Sequence, residues 1–343
     1  MTEPVDTETV SPQVSVLRMI YGAVTTRLIA LAAELAVADL VEDCPRTVDD
    51  LARATGTDAD ALYRVLRTLA GIGVFTEVEP RTFGQTPLSA TLRTGSAGSV
   101  RDAVLELGSP ETFGSLMQLE HSVRTGEPAF DRTYGEDWWS YLAARPDRAE
   151  IFNNVQTITA RQVHALVLEP YELTGVRRLV DVGGGHGTLV AAMLRRYPEL
   201  TGVVFDQPSV VAGAREVLEA AEVADRAETV GGDFFESVPA DGDVYLLTMI
   251  LHDWNDERSI RILTNIREAM APGARILVID PVIPEGDNPH LGKFIDIFML
   301  MHFAGRERTE REFAALFEAA GLRHVETRHS GAPSSLLVAE AAT

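Results

Sequence analysis

Cysteine is almost missing from this chain: Cys44 is the single one in 343 residues. One thiol excludes an internal disulfide framework and a cysteine-rich zinc site, and it fits a reducing cytosol. Basic residues are also scarce, 30 Lys and Arg against 51 Asp and Glu, for a net charge of −21. That balance argues against a nucleic-acid partner, whose phosphates call for basic patches. It favours solubility and says little about fold. The apolar stretch from Leu28 to Val41 is interrupted by Glu34 and Asp39. It is too short and too charged to span a bilayer, so no membrane partner is expected. The amino terminus is polar and acidic, with no basic segment ahead of an apolar core, so a cytoplasmic location is expected. Internal repeats, low-complexity tracts and the Gly-x-x-x-x-Gly-Lys-Ser/Thr phosphate loop are all missing. What remains, 45% hydrophobic and 24% charged residues, suits an ordinary globular protein long enough for two domains.

Residues up to about Val10 read as disordered, being acidic and threonine-rich with Pro4. From Val14 to Val41 apolar residues recur at helical spacing. Thr47, with Asp50 three residues on, approximates a capping box that opens another helix. Asp58 precedes a helix over 59–71, and residues 73–77 and 82–86 read as a hairpin. Helix, turn, helix, hairpin is a winged-helix arrangement. It reads either as DNA binding or as a packing and dimerisation module. Arg53, Arg64 and Arg67 have Asp58 and Asp60 close by, and in so acidic a chain packing is preferred. The expected division is a winged-helix-like domain over 1–100, a bridging helical region over 101–172 and an α/β domain over 173–343. In the bridge, Trp138, Trp139, Tyr141 and Phe152 are large aromatics of the kind that more often build core than touch ligands.

Beyond Gly175 strands and helices alternate. Strands are expected over 179–182, 203–206, 227–230, 244–250 and 275–282. Helices are expected over 188–197, 211–222 and 257–270, and a final antiparallel pair over 322–328 and 335–339. Such alternation predicts a doubly wound parallel sheet with helices on both faces.

The densest signal is Arg178 to Gly187, an apolar strand carrying Asp181, then four glycines in a turn, then a helix from Thr188. Glycine lets the backbone approach a ligand, and a helix start offers unpaired amides. A crevice of this kind is where doubly wound sheets bind nucleotide-like molecules. Dinucleotide folds place spaced glycines under a pyrophosphate. Here the acid precedes the glycines, so a diphosphate would be repelled and a cationic amino group welcomed. S-adenosylmethionine carries such a group, a sulfonium and an adenosine. Two further acids close short apolar segments: Asp206, suited to ribose hydroxyls, and Asp233, after Gly232, suited to an adenine amino group with Phe234 packing on the ring. Any one such acid could merely face water or cap a helix. Three on successive strand ends favour one edge of the sheet.

The strand over 244–250 runs into His252-Asp253-Trp254, which puts His252 on that same edge. An imidazole there can accept a proton near neutrality, or it can simply bond a neighbouring loop. Asp280, ending the next strand, or Glu307, on the loop after an apolar helix, could hold Nδ1–H and free Nε2 to act as base. Asp280 reads otherwise as a further ligand-edge acid, and Glu307 as a partner of Arg306 or Arg308.

Taken together, LVDVGGGHG, VVFDQPSVV, GGDFF, LHDWNDE, ILVIDPVIP and GRERTEREF resemble small-molecule O-methyltransferases of the plant caffeate and isoflavone type. They match the branch of bacterial enzymes that tailor antibiotics and aromatic polyketides. With the winged-helix start and residues 122–130, the resemblance covers nearly the whole chain. It implies that Asp181, Gly183 and Gly185 line the methionine part of S-adenosylmethionine. Asp206 would hold the ribose, Asp233 and Phe234 the adenine, and Trp254 would flank it, with Gly232 a further cofactor-binding candidate. Thr248 stands where many relatives carry a basic residue near the adenine. His252 would be the general base, bracketed by Asp280 and Glu307. Met299, His302 and Phe303 would face the acceptor, with Trp138, Phe152 and Gln156 as further acceptor-side candidates. Gln156 falls where plant relatives place a methionine. The resemblance also implies an amino-terminal homodimer that contributes to the partner's pocket. The reaction expected is metal-independent methylation of a hydroxyl, taken as phenolic, on an aromatic acceptor. Three rivals stand beside it: a relative acting on nitrogen or without methyl transfer, a winged-helix ligand-sensing regulator, and a nicotinamide oxidoreductase.

Overall fold

A computed structural model of the chain describes residues 11–96, 98–331 and 333–342. The expectation for residues up to Val10 lies outside the described residues. The chain forms two compact units: residues through Gly114 with Arg145–Val155, and Ser115–Ala144 with Gln156 onward. The segment expected as a bridge, 101–172, is therefore divided between them.

In the first unit, Asp58 accepts a hydrogen bond from the Ala61 amide at 2.8 Å and opens the helix Ala59–Gly71. Leu62, Leu66 and Leu69, at helical spacing, form its buried face. Thr47 caps Val48–Thr55 by accepting from the Asp50 amide. Its hydroxyl donates to the Asp50 carboxylate, so the reciprocal backbone bond of a full capping box is replaced. Strands β1 (Arg46–Thr47), β2 (Thr76–Glu79) and β3 (Thr82–Gly84) pair antiparallel in the order β1-β3-β2. This is the winged-helix arrangement. Strand β2 starts three residues later than the expected 73. The Val74 amide instead bonds back to the Leu69 carbonyl and closes the preceding helix. Val16, Leu17, Met19 and Ile20 of the helix Pro12–Ile20 are exposed, and that helix buries none of its residues. Together with the next helix it is long and apolar enough to cross a membrane by length and composition alone, which the sequence reading did not foresee.

In the second unit, the described residues form a seven-stranded sheet. Its strands are β4 (Arg178–Val182), β5 (Thr201–Asp206), β6 (Ala227–Gly231), β7 (Gly242–Thr248), β8 (Met270–Pro281), β9 (Leu322–His329) and β10 (Ser334–Ala341). The order is β6-β5-β4-β7-β8-β10-β9; β4 to β8 run parallel, and β10 pairs antiparallel with both β8 and β9. From β4 the chain moves outward through β5 and β6, then returns to lay β7 on the other side of β4. That reversal opens a crevice at the carboxyl ends of β4 and β7. Alternation along β4 sends Leu179 into one apolar cluster, with Val190 and Leu194, and sends Val180 and Val182 into another, with Ile262 and Phe313. Both faces of the sheet are thus covered.

Two expected elements are interrupted. The helix over 211–222 is two pieces, Pro208–Val211 and Ala214–Ala220. Between them Gly213 lies so near the His186 ring that a Cβ would sit 3.1 Å from it. Strand β7 stops at Thr248 because Met249 adopts φ 55°. A left-handed, non-glycine residue there turns the chain into a short 3₁₀ segment, Leu251–Asp253, which carries His252.

Candidate active site

At the switch point the glycine turn follows β4. Asp181 lies one residue before the strand's end and is 2% exposed. Its carboxyl packs beneath Gly184, where a Cβ would come 2.9 Å from Oδ2. Gly185, at φ 56°, has open space where a side chain would project. The turn is held from the next strand. Asp206 Oδ2 accepts from the Gly185 amide at 2.8 Å, and Oδ1 accepts from the Gln207 amide at 2.6 Å. The Asp181 carboxyl has no hydrogen bond among the described residues. Burial, and then the nearby charge of Asp206, push its carboxyl up to about 7. Burial likewise raises Asp206, against the two amides that favour its charged form.

An unpartnered buried carboxyl beside a second acid is expensive unless a cation meets it. The amino group of S-adenosylmethionine is such a cation, and the open face at Gly185 leaves room for a ligand, so the residues present fit that cofactor. The far side of the crevice suits an adenine. Phe234 lies 6.1 Å edge-on from the Trp254 ring, and Phe235 lies 4.9 Å from it. Asp233 Oδ1 accepts from the Phe235 amide in the turn after β6. Gly232 packs on the Phe205 ring, and a Cβ would lie 2.5 Å from it. Gly183 is packed against Ile250, an apolar neighbour that the sequence reading left out. Thr248 ends β7 with its hydroxyl buried and without a partner among the described residues.

His252, 4% exposed, sits on the turn after β7. Its Nδ1 lies 2.8 Å from Glu307 Oε1, and its Nε2 lies 3.4 Å from Asp253 Oδ1. Glu307, not Asp280, is therefore the acid at Nδ1. Neither arginine beside Glu307 pairs with it: Arg306 meets Glu312, and Arg308 meets Asp256. Burial alone would lower the imidazole, but the carboxylates of Asp253 and Glu307, helped by Asp280, outweigh it and raise it to about 10. Asp280 is fully buried at the end of β8, and both its oxygens lack a hydrogen-bond partner among the described residues. Burial raises it to about 7, and it acts on the imidazole through charge. Two contributors went unassigned in the sequence: Asp253, which faces Nε2, and Asp296, whose Oδ1 accepts from the Glu307 amide at 2.8 Å. Asp253 was adjacent in sequence, but no periodic pattern tells that a 3₁₀ turn aims its carboxylate at the neighbouring ring.

The expected acceptor side is partly assembled. His302, 2% exposed, stacks 4.1 Å from Phe298 and lies 5.1 Å edge-on from Trp138; Phe303 lies 6.2 Å from Trp138. Met299 is buried on the same helix, Gly292–His302. Burial lowers His302 to about 4. Its Nδ1–H donates to the Phe298 carbonyl, and Nε2 has no partner among the described residues. Gln156 belongs to this unit, whereas Phe152, on the same helix four residues earlier, belongs to the other. A separate open cavity of about 680 Å³, lined by Ile283, Glu285, His290, Arg311 and His329 among others, holds none of the expected site residues. Among the described residues no group of three or more His, Cys, Asp and Glu could hold a metal ion.

A doubly wound sheet, a glycine turn flanked by acids and a winged-helix unit define a methyltransferase of the Rossmann-like class. The family model for an O-methyltransferase domain matches residues 116–323, and that for an O-methyltransferase dimerisation domain matches residues 17–95. The chain is 45% identical over 305 residues to a phenazine O-methyltransferase of Lysobacter antibioticus, covering 89% of each protein. A methyltransferase of calicheamicin biosynthesis, solved with S-adenosylhomocysteine bound, superposes with a TM-score of 0.86 at 35% identity, covering 98% of this chain and 100% of that one. An O-methyltransferase of neocarzinostatin biosynthesis, solved with S-adenosylmethionine and 2-hydroxy-5-methyl naphthoic acid, gives 0.80 at 31% identity over 92% of this chain and 96% of its own. The chain belongs to the O-methyltransferase family, in its antibiotic-tailoring branch, and its cofactor is S-adenosylmethionine.

Proposed function

We propose that this enzyme methylates a phenolic hydroxyl of an aromatic natural product, without a metal, using His252 as general base. The observation that carries the reading is the buried His252–Glu307 pair at 2.8 Å. Glu307 accepts the Nδ1 proton, which leaves Nε2 of the neutral imidazole as the acceptor. A phenol titrates at about 10 and is mostly neutral at pH 7. Three surrounding carboxyls make the imidazole unusually basic, so its neutral form takes a phenolic proton at little cost. S-adenosylmethionine, when bound, would supply an electrophilic methyl group carried on a neutral thioether leaving group. His252 would take the phenolic proton as the oxygen accepts that methyl group. Holding the reacting atoms about 3–3.5 Å apart supplies much of the remaining acceleration.

Asp181 and the glycine turn hold the methionine end, Asp206 the ribose, and Asp233, Phe234 and Trp254 the adenine. The aromatic wall around Trp138, Met299, His302 and Phe303 supports a flat acceptor. An aromatic hydroxy acid in the neocarzinostatin relative supports the same acceptor class. The exposed apolar face of Pro12–Ile20 is covered by a second copy of the chain, a reading that rests on the dimerisation-domain match. A cytoplasmic homodimer is the form proposed. The test is incubation with methyl-labelled S-adenosylmethionine and paired phenols and anilines, with and without chelator. Methyl ethers formed equally in both conditions are expected. Products on nitrogen alone, or a rate lost to chelation, overturn the reading.

A further inference from the structure

We propose that Arg308 is a positioning residue for methyl transfer: its buried guanidinium fixes the His252 turn against the loop that carries Glu307. This rests on the reading of His252 as base. Arg308 is only 1% exposed, yet its side chain points at backbone rather than at a core acid. Nη1 donates to the Leu251 carbonyl at 2.9 Å, and Nη2 donates to the Trp254 carbonyl at 2.8 Å. Those two carbonyls bracket His252 and Asp253. Nε and Nη2 both reach Asp256 Oδ1, at 3.0 and 2.8 Å, and Nη2 also reaches Ser259 Oγ at 3.3 Å. The planar fork of arginine reaches the two carbonyls and the carboxylate together, with one Nη2 hydrogen shared between acceptors, which a lysine ammonium cannot do.

The backbone around Arg308 closes the same arrangement. Its carbonyl accepts from the Ile283 amide at 3.0 Å, tying it to the chain just past β8 and Asp280. Two residues back, the Arg306 amide donates to the His252 carbonyl at 2.9 Å. Gly305 presses on the same carbonyl, where a Cβ would lie 2.1 Å away. Glu307 is thus held between two residues that each grip the turn of its partner. The His252–Glu307 separation is set by these grips, because Glu307 Oε1 bonds the ring and its Oε2 has no partner among the described residues. Asp256, with its side chain 55% exposed, orients the guanidinium from the outside.

A buried cation that only stabilised the fold would change the amount of folded protein, not the rate per folded site. The test is a double-mutant cycle on single-turnover methyl transfer, using Arg308→Lys, Glu307→Ala and the double variant. Arg308→Lys is expected to lower the rate about 10- to 100-fold at unchanged affinity for S-adenosylhomocysteine, the range seen when supporting partners of a site are lost. In the Glu307→Ala background the same change is expected to cost less than about threefold, since the pair it serves is already gone. Two full factors that multiply, or a wild-type rate for folded Arg308→Lys, overturn the proposal. Should Arg308→Lys fail to fold, Asp256→Asn loosens the same fork from the surface and runs through the same cycle, with a smaller first step and the same lack of additivity. Loss of the base reading is distinguishable: there His252→Ala keeps its rate, whereas failure of this proposal leaves His252→Ala slow and Arg308→Lys fast.

Discussion

Two groups of acids lie at the carboxyl ends of the parallel strands, and they differ in what balances them. Around the glycine turn, Asp181 and Asp206 sit together with amide donors but no cation bonded to either carboxylate among the described residues. Around the turn after β7, Asp253, Asp280 and Glu307 surround an imidazole that the chain itself provides. The first group is left in need of positive charge, which suits it to a cationic ligand. The second is already supplied with its titratable cation, which suits it to moving a proton. Under the proposed function the same residue type would serve binding in one place and basicity in the other, with the neighbours deciding which.

Substitutions that separate the two groups sharpen this contrast. The largest effect is expected for His252→Ala. Single-turnover transfer to a phenol should fall by roughly 10²–10⁴-fold, with S-adenosylhomocysteine affinity by calorimetry nearly unchanged. Equal losses in both assays would merge the two groups into one. Next comes pH. A base raised to about 10 is mostly protonated at neutrality, so the rate with a phenol should climb nearly tenfold per unit from pH 7 toward pH 9. An imidazole of ordinary pKa would level off near neutrality instead. Glu307→Ala should cost about 10- to 100-fold in turnover by freeing the ring, again at constant cofactor affinity.

The smallest effect belongs to the other group. Asp181→Asn should weaken S-adenosylhomocysteine about tenfold while raising the melting temperature of the free enzyme by a few degrees. The sign follows from burial. The folded carboxyl titrates at about 7 against 3.8 for an unperturbed aspartate, so its cost is present above that lower value and disappears in acid. The gain in stability should therefore be visible at pH 7 and vanish by pH 4. A variant that melts lower at pH 7 would show that Asp181 already has its cation within the chain.

The binding group was largely legible in the sequence, because strand-end acids and clustered glycines are local signals. Asp181, Asp206 and Asp233 all reach one edge of the sheet through strands that hydrophobic runs locate within a few residues. Caps were equally local: Asp58 opens its helix at the expected residue. The proton-handling group was legible only in part. His252 and Glu307 are 55 residues apart, and the choice between Glu307 and Asp280 depended on how a loop closes. Met249 at φ 55° turns the chain where propensity reads continuing strand. The pairing of Arg308 with Asp256 depended on a tertiary contact, while adjacency suggested Glu307. Phe152 and Gln156 share one helix yet fall in different units, a division that helical periodicity cannot reveal.

The central claim is that the imidazole of His252 removes the acceptor's proton. The direct measurement is methyl transfer by His252→Ala to two matched phenols, one titrating at about 10 and one acidic enough to be ionised at the assay pH. The account predicts a deep loss of rate with the first and near wild-type transfer with the second, which arrives without a proton to remove. An equally deep loss with both phenols would contradict it.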